Sequence, residues 1–166
     1  MAGDELNDPT EQSQWRPLRE LLDAMDADIA RLYVEAHIDG LKPNWVMELI
    51  RLHRHGPMTI TELAELRRHT HSAMSQKVAA MRAAGFVRTT TGADARSKKV
   101  TLTTKARHIV GQLAAEWRST EAAIRDIETE IPYPLTRVVA DIAEALRRKS
   151  FHDRIAEKLA ADPTWR

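Results

Sequence analysis

Hydrophobic residues recur at steps of three and four along the first third of the chain and predict two helices. The first stripe lies between Pro17 and Gly40, and it marks one face of a long helix that ends near the glycine. A second stripe follows Pro43, a residue suited to a first helical position, and stops at Gly56 and Pro57. The members of the first stripe are Leu18, Leu21, Leu22, Met25, Ile29, Leu32 and Tyr33.

Two shorter helices are predicted next, and each has a recognisable start. Thr59 and Glu62 have the spacing of a capping box, in which each side chain bonds to the other residue's backbone N–H. After the polar turn 67–69, Thr70 is a suitable cap for a fourth helix, which Gly85 ends in a left-handed conformation. Two short helices joined by a tight turn form a helix-turn-helix. Their predicted inward residues are Ile60, Leu63 and Leu66 on the third helix and Met74, Val78 and Met81 on the fourth.

Two β-prone runs, 86–91 and 99–103, follow the fourth helix and are separated by the polar residues 92–97. This spacing predicts a β-hairpin with a long tip. A long fifth helix then runs from Thr103 or Thr104 to the Pro-Tyr-Pro turn at 132–134. The last apolar stripe begins at Leu135 and is interrupted at 147–150, so we expect the final helix to kink or stop there.

These elements predict a mainly α fold with a small β-hairpin wing, in which a winged helix-turn-helix domain is flanked by long N- and C-terminal dimerisation helices. We expect a flexible tail over 1–14, an N-terminal dimerisation helix over 15–41, the DNA-binding domain over 42–110 and a C-terminal helical dimerisation region over 111–166. The terminal apolar stripes are longer than the DNA-binding domain alone can cover, which favours a homodimer. The alternative is that these stripes pack within one chain.

The distribution of charge says more than the net charge of +1. Residues 42–107, called the basic segment below, hold thirteen Lys or Arg against four Asp or Glu and have a net charge of +9. The rest of the chain therefore has a net charge of −8. A basic middle with acidic flanks is typical of a module that binds a polyanion such as DNA. On charge alone, a solvated basic face remains an equal alternative.

Several classes of protein are excluded or disfavoured by what the sequence lacks. The chain has no cysteine, which excludes disulfides, thiolate metal sites and thiol chemistry. It shows neither an apolar run long enough for a membrane span nor a signal peptide, so we expect a cytoplasmic protein. No catalytic motif is evident, and we expect neither an enzyme nor a cofactor. The His53/His55 and His69/His71 pairs have a spacing of two, which chelates a metal poorly on a helix, so we expect no metal site.

The fourth helix carries the predicted contacts to the major groove of double-stranded DNA. Small hydroxyl side chains near its N-terminus allow close approach to a phosphate, and Gln76 and His71 have the chemistry to read base edges. The alternative is an ordinary exposed helix face. The residues predicted to face the DNA, away from Met74, Val78 and Met81, are Thr70, His71, Ser72, Ser75, Gln76 and Lys77.

The tip of the hairpin supplies a second predicted contact. Arg96 has the planar, weakly hydrated guanidinium that suits a narrow minor groove, and Asp94 can hold that side chain in place. Lys98 and Lys99 would add phosphate contacts. The alternative reading of Asp94 and Arg96 is a surface ion pair, worth about 0 to 1 kcal/mol.

Residues 59–106 resemble the DNA-binding domain of MarR-type regulators. The resemblance is carried by five pieces in order: 61–64 (Thr-Glu-Leu-Ala), 72–78 (Ser-Ala-Met-Ser-Gln-Lys-Val), 85–88 (Gly-Phe-Val-Arg, after Met81), 94–96 (Asp-Ala-Arg) and 102–103 (Leu-Thr). It implies a homodimer that binds a palindromic operator, usually as a repressor, with Arg96 in the minor groove. The chain departs from the family in having Ala106 where Gly is frequent and a turn at 67–69 without Gly.

The family resemblance also implies a small aromatic effector bound between the dimer arms and the DNA-binding domain. The residues that would line such a pocket are Tyr33, His37, Trp45, Leu49 and Trp117. The alternative, that these aromatic side chains simply belong to the core, is the favoured one. Our functional hypothesis is a sequence-specific transcriptional regulator, and the competing class is an architectural DNA-binding protein with little sequence preference.

Overall fold

The structure is a computed structural model that describes residues 8–67, 69–91 and 98–165. Within these residues the chain forms seven α-helices and one two-stranded antiparallel hairpin. The fold class predicted from the sequence is confirmed. The helices are α1 (Arg16–Glu35), α2 (Val46–His55), α3 (Ile60–Arg67), α4 (His71–Ala83), α5 (Thr104–Glu130), α6 (Leu135–Arg148) and α7 (Phe151–Ala160), and the strands are β1 (Val87–Thr91) and β2 (Lys98–Leu102).

The chain divides into two compact units, residues 1–115 and residues 116–166. The first unit contains α1 to α4, the hairpin and the start of α5. The second contains the rest of α5, α6 and α7. Residues 1–7 of the predicted flexible tail lie outside the described residues, and 9–11 form a single 3-10 turn capped by Asp8.

The core of the first unit brings together side chains from α2, α3, α4, β2 and the start of α5. Leu49 of α2, Leu63 of α3, Met81 of α4, Val100 of β2 and Leu113 of α5 are each at most 1% exposed. Burial of one such side chain stabilises the fold by about 1.5 to 3 kcal/mol. The helix-turn-helix and the hairpin therefore share one core.

Helix α1 ends at Glu35, five residues before the glycine that the sequence suggested. The N–H of His37 donates to the carbonyl of Val34, and the N–H of Ile38 donates to that of Tyr33, at 3.0 and 2.8 Å. His37 has a φ of 56°, so it takes the left-handed position that glycine usually occupies in this Schellman arrangement. The buried side chains of Tyr33 and Ile38 close the turn.

The second unit shows how the last apolar stripe is broken. Helix α6 ends at Arg148, and Ser150 caps α7 by accepting a hydrogen bond from the N–H of Asp153 at 3.0 Å. The guanidinium of Arg154 reaches back to the carbonyls of Ala145 and Lys149 at 3.0 and 3.1 Å. The predicted stop at 147–150 is confirmed. Along the described residues, no helix has both the length and the apolar character that a membrane span requires.

Candidate nucleic-acid interface

The two helices of the helix-turn-helix begin as their sequences predict. The N–H and hydroxyl of Thr59 donate to the Glu62 carboxylate at 2.6 and 3.0 Å, and the N–H of Glu62 donates back to the Thr59 hydroxyl at 3.2 Å. These bonds, led by the one from the backbone, hold the pKa of Glu62 below its ordinary value. At the start of α4, the Thr70 hydroxyl accepts from the N–H of Ala73 at 3.2 Å. Both predicted caps are confirmed.

The inward face of α4 is confirmed, and that of α3 is partly wrong. Met74, Val78 and Met81 are between 0 and 5% exposed. On α3, Leu63 is buried at 1%, whereas Leu66, which was predicted to point inward, is 47% exposed. Helix α3 is only eight residues long, and its side packed against α4 is covered by Leu63 and Ala64. Leu66 lies at the edge of the contact between α3 and α4.

The outer face of α4 presents a row of small and polar side chains. His71, Ser72 and Gln76 are exposed, and Ser75 is half-buried. Ala73 and Ala79 are exposed on the same helix, and the sequence analysis missed them. Such short side chains allow a helix to lie close to the floor of the major groove, and an alanine methyl can contact the methyl group of thymine. Ser72, Ala73 and Ala79 lie three or four positions from Gln76 along the helix, and all three are small and exposed.

Lys77 does not face outward, and that part of the prediction is wrong. Its ammonium donates to Glu48 Oε1 of α2 at 3.0 Å and to the carbonyl of Asn44 at 2.8 Å. Its side chain is 15% exposed, and that of Glu48 is 2% exposed. The sequence held the signal: Lys77 is three residues after Met74 and four before Met81, so helical periodicity places it beside the core stripe.

The hairpin pairs its strands in a continuous antiparallel register from Val87 opposite Leu102 to Thr91 opposite Lys98. Lys98 is exposed and Lys99 is half-buried. The predicted minor-groove residues Asp94 and Arg96, together with the rest of 92–97, lie outside the described residues. The paired strands thus confirm the predicted hairpin. The DNA contacts predicted for Asp94 and Arg96 at its tip stay a prediction.

The end of α4 is joined firmly to the wing and to α5 at Phe86. Gly85 has a φ of 77°, and the Phe86 N–H donates to the Met81 carbonyl at 3.0 Å. The Phe86 ring, with no exposed surface, meets the ring of Trp45 edge-on at 6.1 Å. Thr103 donates its N–H to the Phe86 carbonyl at 3.0 Å and its hydroxyl to the Gly85 carbonyl at 2.7 Å. Helix α4, the wing and α5 therefore meet in one buried joint.

The positive charge of the basic segment is largely at the surface. The arginines described as exposed are Arg51 and Arg54 on α2, Arg82 on α4, Arg88 on β1 and Arg107 on α5. None of them was singled out from the sequence as a contact. Arginine side chains are the usual partners of phosphate oxygens, since their guanidinium groups bind in a bidentate manner. Charge counting identified the segment but could not rank its members.

The residues proposed to line an effector pocket have different environments. Tyr33, Trp45 and Leu49 are 3, 5 and 0% exposed, as expected of core side chains. His37 is exposed at the end of α1. Trp117 is half-buried on α5 and belongs to the second unit. The three buried residues fit the alternative reading as core, and the effector role of all five stays a prediction.

The histidine pairs give no support to a metal site. His53 and His55 lie in the last turn of α2, close to the negative end of its dipole, and both are exposed. Over the described ranges 8–67, 69–91 and 98–165, no three His, Asp or Glu side chains are grouped so that they could hold a metal ion.

A sequence profile of the MarR family matches residues 39–97, which span α2, α3, α4 and the first strand of the wing. Residues 39–97, about a third of the chain, are therefore similar to the MarR family. The matched region contains the capping box, the helix-turn-helix and the joint at Phe86. No curated protein sequence is similar enough to this chain to count as a match.

Several solved structures share the fold across most of the chain. The MepR–DNA complex of S. aureus has a TM-score of 0.60 and 14% identity, and the match covers 82% of this chain and 97% of that one. The MosR–DNA complex of M. tuberculosis has a TM-score of 0.56 and 22% identity, with 82% and 98% covered. A MarR protein from Peptoclostridium difficile has a TM-score of 0.55 and 17% identity, with 92% and 96% covered. At these identities the likeness shows the fold.

Proposed function

We propose that this chain is a sequence-specific transcriptional regulator, acting as a homodimeric repressor of a palindromic operator. The observation that carries the proposal is the outer face of α4, where Ser72 and Gln76 are exposed beside a hairpin wing within a segment of net charge +9. A helix of this kind fits the major groove, while the wing reaches the adjacent backbone. The similar MepR and MosR structures are complexes with DNA, which supports DNA as the ligand.

The homodimer is supported by apolar side chains left at the surface of one chain. On α1, Leu21, Leu22 and Leu32 are 53, 50 and 51% exposed. On α6, Val139 and Leu146 are 55 and 38% exposed. A second copy related by a two-fold axis would cover such faces, and it would also place two copies of α4 about one DNA turn apart. Sedimentation equilibrium tests the dimer directly, and a monomer at micromolar concentration would reject it.

Titration of short duplexes tests the DNA-binding function. The probe is the best-binding duplex that the protein selects from a randomised pool, compared with a scrambled duplex of equal length at about 150 mM salt. We expect the selected duplex to be palindromic and to bind at least about a thousandfold more tightly. Equal affinity for the two duplexes would support the alternative, an architectural protein that binds DNA with little sequence preference.

Arg96 provides the test of the predicted wing contact. We expect Arg96→Ala to weaken binding to the selected duplex by at least about 1 kcal/mol per protomer while the dimer stays intact. Lys98→Ala is the matched control, since a phosphate contact should weaken the selected and scrambled duplexes alike. Unchanged affinity in Arg96→Ala would remove this residue from the interface.

Release by a small aromatic effector is the last part of the proposal. Its support is the similarity of residues 39–97 to the MarR family, and among the candidate residues His37 is exposed at the end of α1. A panel of small aromatic compounds, including phenol and benzoate, would be tested for release of the selected duplex and for quenching of tryptophan fluorescence. A compound that releases the DNA must bind the free protein more tightly than the DNA-bound protein. If none of the panel changes DNA affinity, the effector proposal loses its support.

A further inference from the structure

A charged pair inside the first unit joins α4 to α2. Lys77 and Glu48 are 29 residues apart in the sequence, yet Nζ and Oε1 are 3.0 Å apart. The same ammonium donates to the Asn44 carbonyl at 2.8 Å. Glu48 is the one charged residue among the buried side chains of the described chain. Burying a charge is costly unless it is paired and hydrogen-bonded, so the two side chains are strongly held together.

The segment 44–48, which holds Lys77 at the start of α2, is rigid. Asn44 and Glu48 flank Trp45 and Val46, which are 5 and 1% exposed, and Leu49, with no exposed surface, follows directly. The segment 44–48 therefore cannot shift without disturbing the core. Lys77 is held at two points on this fixed support, so the pair restrains both the rotation of α4 about its axis and its sliding along α2.

The other inward contacts of α4 restrain its rotation less well. They come from Met74, Val78 and Met81, and hydrophobic contact is not directional. Methionine is also the most adaptable core residue, because its unbranched side chain fills gaps of varied shape. Directional hydrogen bonds to a buried charge can select one packing among several of similar energy. Gln76 precedes Lys77, so the angle of this helix sets where Gln76 points.

The geometry points to Lys77 as a positioning residue for sequence-specific DNA binding, which acts by fixing the angle at which α4 presents Gln76 and Ser72. The inference rests on the proposed function. It differs from a phosphate-contact role, which would use the charge of Lys77 directly on DNA. The two roles predict different changes in sequence discrimination and in salt dependence.

The test uses the full-length protein with the selected and scrambled duplexes, titrated over a range of salt concentrations. The variants are Lys77→Met, Glu48→Gln and the double variant Glu48→Gln/Lys77→Met, which leaves neither charge buried alone. Lys98→Met is the matched control, because Lys98 is an exposed lysine of the wing. Circular dichroism and sedimentation establish that each variant is folded and has the wild-type oligomeric state.

For Lys77→Met and the double variant, we expect discrimination between the two duplexes to fall by at least about fivefold, comparable to the loss of one base-pair contact. The slope of log affinity against log salt should stay at the wild-type value. Glu48→Gln should also reduce discrimination, although it retains the lysine charge. In Lys98→Met, by contrast, the slope should become shallower by about one per protomer, with both duplexes weakened equally.

A shallower slope in Lys77→Met with unchanged discrimination would assign Lys77 to phosphate binding and overturn the inference. Unchanged discrimination and slope in a folded double variant would show that the pair serves stability only, which also overturns it. The double variant keeps the test decisive if either single variant fails to fold. A wild-type protein that selects no duplex would refute the proposed function itself, and the inference with it.

Discussion

Phe86 offers a sharp test of the joint between α4, the wing and α5. Its ring has no exposed surface and lies edge-on to Trp45 at 6.1 Å, and the ammonium of Lys105 is 4.3 Å from its centroid. Replacing a buried phenylalanine by alanine costs about 3 to 5 kcal/mol. An aromatic pair contributes about 0.5 to 1.5 kcal/mol beyond its buried area, which places Phe86→Ala near the upper end, at about 4 to 5 kcal/mol.

Urea unfolding followed by circular dichroism measures this loss, and it must be carried out at one fixed protomer concentration because a dimer is stabilised by mass action. We expect a lower midpoint for Phe86→Ala with an unchanged dependence on urea. Gln76→Ala is the control, since this exposed position should change stability by less than about 0.5 kcal/mol. A loss below about 1 kcal/mol in Phe86→Ala would show that the joint collapses around the cavity and is not rigid.

Three further outcomes follow from other positions. His37→Gly should raise the free energy of unfolding by about 0.5 to 1 kcal/mol, because glycine accepts the left-handed conformation that His37 adopts at a φ of 56°; an unchanged urea midpoint would contradict this. The pKa of Glu62 is lowered from its ordinary 4.5, so its stabilising contribution is present above that pH and is lost as pH falls through the lowered pKa. Glu62→Gln should therefore lose less stability than wild type between about pH 5 and pH 3, and equal losses would reject the assignment. Gln76→Ala should weaken binding to the selected duplex by about 1 to 3 kcal/mol with wild-type stability, and unchanged affinity would exclude a base contact.

Where the start or end of an element is set by bonds between neighbouring residues, the sequence predicted it well. The Thr59/Glu62 capping box, the Thr70 cap and the left-handed Gly85 are all found in the structure. Each depends on a side chain or a backbone angle within three residues of the boundary, so no knowledge of the fold is needed. The Ser150 cap of α7 follows the same rule.

Boundaries that depend on tertiary packing were predicted less well. Helix α1 was expected to end near Gly40, but His37 closes it early, and the burial of Tyr33 and Ile38 stabilises that turn. Leu66 has the spacing of an inward residue but lies at the end of a helix too short to bury it. In both cases local periodicity does not show how much of the core is available to cover a side chain.

Lys77 is a residue of the candidate site whose position the sequence did not predict correctly. Charged side chains are seldom buried unless paired, so a lysine on a helix is normally assigned to solvent. Its periodicity indicated the core face, but its partner Glu48 is 29 residues away and could not be identified from one sequence. The sequence analysis therefore placed Lys77 on the exposed face of α4, whereas the structure pairs it with Glu48.

The exposed apolar side chains of α1 and α6 favour a dimer, and both the sequence and the structure point to them. Periodicity alone predicted the stripes, and left open whether they pack within one chain. Leu21, Leu22 and Leu32 remain about half exposed, and each would gain from leaving water. In a monomer these side chains would stay in contact with water. Pairing with a second copy, as proposed, would remove that cost and would supply the two-fold symmetry that a palindromic operator requires, so the same faces would link the stability of the protein to its proposed function.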